Sequence, residues 1–110
     1  MKAIHDIVKG YKENRIMEVF DLYYHEEVVT YNNGDSTGRI GKAQNRTMRQ
    51  EFASRITVTE IGILKLICDG DNSCYEIFIE YTTNEGEKVR RSKWLFQEWK
   101  NGQIIKEQYH

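Results

Sequence analysis

Apolar positions near the start of the chain recur at helical spacing. Ile4, Ile7, Val8 and Tyr11 fall at i, i+3, i+4 and i+7, the stripe of a short amphipathic helix. Lys12-Glu13-Asn14 breaks this pattern, and Asn14 is placed to cap a second helix. There Met17, Phe20, Tyr23 and Tyr24 repeat the spacing, widened by Ile16 and Val19, so the two helices form a bent pair covering one surface. An aromatic stripe of this kind is read as core packing before it is read as a ligand contact. Val28, Val29, Thr30 and Tyr31 then switch to β-type residues and end in the turn-rich Asn32-Asn33-Gly34-Asp35. Gly38 and Gly41 surround Ile40, after which Ala43, Thr47, Met48 and Phe52 mark a third helix ending near Ser54.

Three long β segments follow. Residues 55–68 are apolar at both parities, Asp69–Ser73 turns the chain into Cys74–Thr83, and Asn84-Glu85-Gly86 turns it again into Lys88–Trp99. Asn101-Gly102 tolerates the positive φ of a tight primed turn and pairs the two closing runs, Trp94–Trp99 and Ile104–Tyr109, as a hairpin. The order is helix, helix, strand, helix and a four-stranded meander (α-α-β-α-β-β-β-β). This is an α+β arrangement with helices on one sheet face.

The sheet is apolar on both faces. Leu64 and Leu66 oppose Ile61, Ile63 and Ile67, and Trp94 and Phe96 oppose Leu95 and Trp99, whereas a face meeting water would alternate cleanly. Helices cover one face, and a second copy of the chain is expected to cover the other as a homodimer. In the segment 74–83, Tyr75, Ile77, Ile79 and Tyr81 oppose Glu76, Phe78 and Glu80, and either set can face inward, because one residue of turn length flips them all.

Composition narrows the classes of function. The 110 residues suit one domain, 1–110, with 39% hydrophobic and 30% charged residues and a net charge of −1. That balance argues against a nucleic-acid surface. Lys88, Arg90, Arg91 and Lys93 are the one basic concentration, read as a solvated strand face. No apolar run resembles a signal peptide or reaches membrane-spanning length, so no membrane association and a cytoplasmic location are expected. Cys68 and Cys74 are read as free, mostly buried thiols rather than a disulfide. No motif implies a metal or nucleotide cofactor, and no nucleophile elbow or glycine-rich phosphate loop is present. His25 is read as a cap or surface residue before a ligand contact.

The closing strand carries the candidate chemistry. Glu107 lies between Ile105 and Tyr109 at period two, so a carboxylate shares an otherwise apolar face. Here the chain resembles a known family. Tyr23-Tyr24-His25-Glu26-Glu27-Val28-Val29, the Gly38-Arg39-Ile40-Gly41 helix entry, and the ending Trp99-Lys100-Asn101-Gly102 through Glu107-Gln108-Tyr109 look like a SnoaL-like protein of the nuclear transport factor 2-like, ketosteroid isomerase-like superfamily. The resemblance covers nearly the whole chain; its motifs are specific for fold and weak for function.

It implies a cystatin-like cone, in which three N-terminal helices pack on a curved, mostly antiparallel sheet and leave a pocket between. In the isomerase-like members an aspartate ends the first strand. Asn32-Asn33 falls there, Trp94 falls at or next to the second aspartate's place, and Val8 replaces the first-helix tyrosine. That departs from ketosteroid isomerase chemistry. What remains by resemblance is Glu107, with Ile105, Tyr109, Trp94 and Phe96 on the concave wall and Tyr31 or Asn32 donating hydrogen bonds. An apolar pocket raises a carboxylate's pKa by desolvation, which suits acid–base work near neutral pH. The opposing reading pairs Glu107 with a buried partner, Arg90 or Tyr31, as a brace. The expectations are therefore an isomerase-, cyclase- or hydrolase-type enzyme acting on a small, largely apolar organic molecule, a non-catalytic binding module, or a protein-docking subunit.

Overall fold

The computed structural model describes residues 1–32 and 37–110. Asn33, Gly34 and Asp35 of the expected turn lie outside the described residues. The elements are α1 (Lys2–Lys12), α2 (Ile16–Tyr23), β1 (Tyr24–Tyr31), β2 (Arg39–Ile40), α3 (Lys42–Arg55), β3 (Ile56–Asp69), β4 (Asn72–Thr83), β5 (Lys88–Lys100) and β6 (Gln103–Tyr109). They form the expected α+β cone, with the two-residue β2 as an addition. The sheet order is β2-β1-β6-β5-β4-β3; every neighbouring pair is antiparallel except β1 with β6.

The helices cover one face of this curved sheet. Ile4 and Ile7 of α1, and Ile16, Val19 and Phe20 of α2, are buried against Val28, Ile77, Ile79, Leu95, Trp99 and Ile104. The Phe20 and Tyr24 rings stack at 4.6 Å. Each such apolar side chain contributes about 1.5–3 kcal/mol through its removal from water. Asn14 does not cap α2. It adopts φ 58° between the helices, donates to the Val58 carbonyl at 3.1 Å and accepts from the Val58 N–H at 2.8 Å. An asparagine tolerates this left-handed backbone, and its amide satisfies an edge-strand peptide that no other strand reaches.

The closing hairpin is as expected: Asn101 and Gly102 have φ 53° and 77°, a type I′ turn linking Lys100 and Gln103. Two irregularities in β3 reset its alternation, between Val58 and Glu60 and between Ile63 and Lys65. They put Leu66 opposite the inward Tyr75, on the same face as Ile61 and Ile63, and Ile67 opposite the outward Cys74. The sequence alternation had these two residues reversed. In β4 the inward set is Tyr75, Ile77, Ile79 and Tyr81. The cysteines are free thiols, yet Cys68 is exposed and Cys74 half-buried, because both lie at the end of the β3–β4 hairpin.

Candidate functional site

A cavity of about 300 Å³ opens between α1, α3 and the inner faces of β4, β5 and β6. Ile7, Val8, Phe52, Ile77, Ile79 and Leu95 give it apolar walls, and Glu107 is among its lining residues. Strand pairing puts Glu107 there: it sits between Thr30 of β1 and Gln97 of β5. A register shift between Glu98 and Trp99 brings Ile104 opposite Trp99, so Ile104 shares the inner face with Glu107 and Tyr109. Ile105, expected on the concave wall, is the extra residue of this bulge and does not line the cavity.

Glu107 is 1% exposed. Its Oε2 accepts from Tyr24 Oη at 2.5 Å and from Gln97 Nε2 at 2.6 Å. Its Oε1 meets one donor, Arg49 Nη2, at 3.4 Å. The Gln97 amide is held in that orientation, because its Oε1 faces Ser73 Oγ at 3.5 Å, and Ser73 accepts from Trp99 Nε1 at 2.9 Å. Arg49 also donates to Tyr11 Oη at 2.5 Å and lies 5.1 Å from the Tyr24 ring centroid.

The electrostatics follow from burial. Burial pushes the Tyr11 hydroxyl above its usual 10.0 and the Tyr24 hydroxyl well above it, with the Glu107 charge adding in the same direction, so both remain neutral. Tyr75 is pushed up for the same two reasons. Burial works against the Arg49 guanidinium, but the surrounding Tyr11, Tyr24 and Glu107 oxygens more than offset it and hold Arg49 well above its usual value. Arg49 is therefore a permanent cation beside the carboxylate. The partners that brace Glu107 are Arg49, Tyr24 and Gln97, where the sequence had suggested Arg90 or Tyr31.

Of the residues expected in the site, Glu107 and Tyr109 line the cavity, and Arg39 Nη2 donates to Tyr109 Oη at 2.5 Å. Trp94 and Phe96 do not. Their parity on β5 is opposite to that of Leu95 and Gln97, which places them on the outer sheet face, opposite Glu76 and Cys74. Tyr31 is also directed away: it pairs with Gln108, and Lys106 Nζ lies 5.8 Å from its ring centroid. Asn32 follows β1 and does not reach the cavity. His25 accepts from the Glu27 N–H at 3.0 Å, a local contact at the start of β1.

The basic cluster is divided by strand alternation. Arg91 and Lys93 line the cavity, whereas Arg90 and Lys88 point outward to Glu60 and Glu80. On α3 Asn45, Arg49 and Phe52 face inward, the partly exposed Met48 also lines the cavity, and Ala43 and Thr47 are exposed. Asn45 donates to the Arg39 and Gly41 carbonyls at 3.0 and 2.9 Å and is bonded to Thr30 Oγ1, locking α3 over β1. Among the described residues no group of three or more histidine, cysteine or carboxylate side chains is placed to hold a metal ion.

This arrangement of helices packed on a curved mixed sheet is found in solved structures. A SnoaL-like protein from Mesorhizobium loti, provisionally named a polyketide cyclase, superposes with a TM-score of 0.76 at 19% identity over 99% of this chain and 96% of that one. The fold is that of the SnoaL-like, nuclear transport factor 2-like and ketosteroid isomerase-like proteins. An LEH-like epoxide hydrolase of M. tuberculosis superposes with a TM-score of 0.80, at 17% identity over 98% of this chain and 78% of that one. A ketosteroid isomerase-like protein from Catenulispora acidiphila, solved in complex with trimethylamine, gives 0.74 at 11% identity, covering 98% and 83%. The sequence itself matches no family model and no curated protein.

Proposed function

We propose that this SnoaL-like chain binds a small, largely apolar organic molecule in its cone, and that Glu107 is the acid–base group of an isomerase-, cyclase- or hydrolase-type reaction. The observation carrying this reading is the asymmetry of the carboxylate. Oε2 is occupied by Tyr24 and Gln97, while Oε1 has one long contact, to Arg49 at 3.4 Å. Oε1 is thus the end available for exchanging a proton with a bound molecule, and Arg49 stabilises the anionic form of either partner. The apolar walls exclude water and strengthen those interactions. The hydrolase and the trimethylamine complex among the structural neighbours support a cone that accepts small organic molecules.

A panel of small apolar epoxides, esters and enolisable ketones, followed by proton NMR, tests the proposal. Wild type should turn over one class, and Glu107→Gln, with an unchanged circular dichroism spectrum, should lose at least ~100-fold of that rate. Undiminished turnover by Glu107→Gln contradicts the assignment. A second reading is favoured by the 1% exposure of Glu107 and its three donors. In it Glu107 braces the floor of a passive binding module, and ligand binding occurs with no turnover of any panel member.

The outer sheet face carries the exposed Leu64 (56%), Ile67 (57%) and Phe96 (42%). We take this face as the contact between two copies of the chain. Sedimentation at micromolar concentration should give a dimer, and a monomer contradicts the assignment.

A further inference from the structure

Several cations on the outer face of this sheet are paired with acids, whereas those around the cavity outnumber the acid there. On the outer face Lys88 and Arg90 meet Glu80 at 3.8 Å each, Arg90 also meets Glu60 at 3.4 Å, and Lys106 meets Glu98 at 3.5 Å. The cavity side has Arg39, Arg49, Arg91 and Lys93 against a single carboxylate, Glu107, among its described lining residues. Arg49 takes that carboxylate.

Lys93 forms no ion pair among the described residues, Glu107 being engaged by Arg49; its Nζ lies 5.3 Å from the Tyr109 ring centroid, an aromatic contact in place of an ion pair. Arg91 stands two residues away on the same strand face, roughly 7 Å along the strand, also with no acid among the described residues. Arg39 likewise meets Tyr109, at its hydroxyl. Burial, and then Arg49, hold the Lys93 ammonium below its usual range, and the Glu107 charge, which acts in the opposite direction, offsets this only in part. A partly desolvated cation such as the half-buried Lys93 gains from an anion that meets it, and here the cavity occupies the position where that anion would lie, with the more exposed Arg91 beside it.

We infer that the cone takes a molecule with an apolar body and one carboxylate head, the body against Ile7, Phe52, Ile77 and Ile79 and the head between Lys93 and Arg91. This inference rests on the binding reading above and adds the charge of the ligand to it. The apolar wall and the cationic pair lie in one cavity, so one amphipathic anion satisfies both. A cationic ligand would meet the excess positive charge, and a neutral one would leave Lys93 unpaired.

Isothermal titration at pH 7 with octanoate, octanol and octylamine, which share one chain and differ in head charge, tests this. Octanoate should bind about tenfold or more tighter than octanol, as a charge-assisted contact contributes, with octylamine weakest. Lys93→Met should reduce the octanoate-over-octanol preference to less than about threefold. Lys93→Arg should retain it, and so should Arg90→Met, which alters an outward cation of the same strand. The wild-type ranking stands as a test even where a variant fails to fold. Octanol binding as tightly as octanoate, or octylamine binding best, overturns the inference and leaves the binding reading intact. Failure of all three probes to bind overturns both.

Discussion

Replacing Glu107 by leucine removes the one negative charge beside Arg49 and the acceptor of both Tyr24 Oη and Gln97 Nε2. Arg49 then stays inside with its remaining contacts to Tyr11 and two aromatic rings. Breaking a buried pair from one side costs about 3–5 kcal/mol, because the surviving charge is left uncompensated. Against a domain stability of about 5–15 kcal/mol, this is a large fraction. Arg49→Met leaves the carboxylate buried with its two neutral donors, and a cost of about 2–4 kcal/mol is expected. The double variant removes both charges and leaves the Tyr24 hydroxyl and the Gln97 amide without their acceptor, at about 1–3 kcal/mol. It should therefore be no less stable than Glu107→Leu alone, a coupling of roughly 5 kcal/mol at the midpoints of these ranges. Urea unfolding followed by tryptophan fluorescence measures all three. With a slope of about 2 kcal/mol per molar, Glu107→Leu should lower the midpoint by roughly 2 M, and the double variant should recover part of that loss. Additive costs, or a loss below about 1 kcal/mol for Glu107→Leu, would refute the buried-pair reasoning.

Three further outcomes are expected. Asn14→Ala removes both hydrogen bonds to Val58 and forces alanine into φ 58°, so it should cost about 2–3 kcal/mol by thermal or urea unfolding. Asn14→Gly, which accepts that backbone, should lose less. Gly102→Ala meets φ 77° in the type I′ turn and should lower stability by about 1 kcal/mol, a fall in Tm of about 4–8 °C by calorimetry. Lys93 is depressed below 10.5 in the folded state, so between that depressed value and 10.5 the unfolded chain binds more protons and stability rises with pH. The penalty is present at neutral pH and gone above 10.5. Lys93→Met should thus raise Tm at pH 7, with the gain shrinking towards pH 10.5; a gain independent of pH contradicts the assignment.

The fold was legible where one short signal sufficed. Asn101-Gly102 specified its own turn, and the Ile4, Ile7 and Phe20 stripes marked the buried helix faces. The site was harder, because its polar residues share faces with apolar ones. On α3 an apolar stripe was sought through Ala43, Thr47, Met48 and Phe52; Phe52 and the partly exposed Met48 do line the cavity, but the helix also turns the polar Asn45 and Arg49 inward, which with Phe52 fall at i, i+4 and i+7. That polar-lined spacing was the available signal for Arg49. Alternation along β5 separates Arg91, Lys93, Leu95 and Gln97 from Arg90, Trp94 and Phe96, so one choice of parity decided which set met Glu107. Bulges explain two further differences. The shift at Glu98/Trp99 exchanges Ile104 for Ile105, and that at Ile63/Lys65 turns Leu66 inward; no local pattern announces an extra residue in a strand. The parallel pairing of β1 with β6 brings Tyr24 to Glu107 across 83 residues, a contact set by topology alone.

Methyl NMR during titration with octanoate addresses the cone as a binding site at residue resolution. Saturable shifts at Ile7, Ile77, Ile79 and Leu95, with Leu64 and Ile67 on the outer face unmoved, are the predicted result. Unchanged cavity methyls, or shifts centred on Leu64 and Ile67, would contradict it.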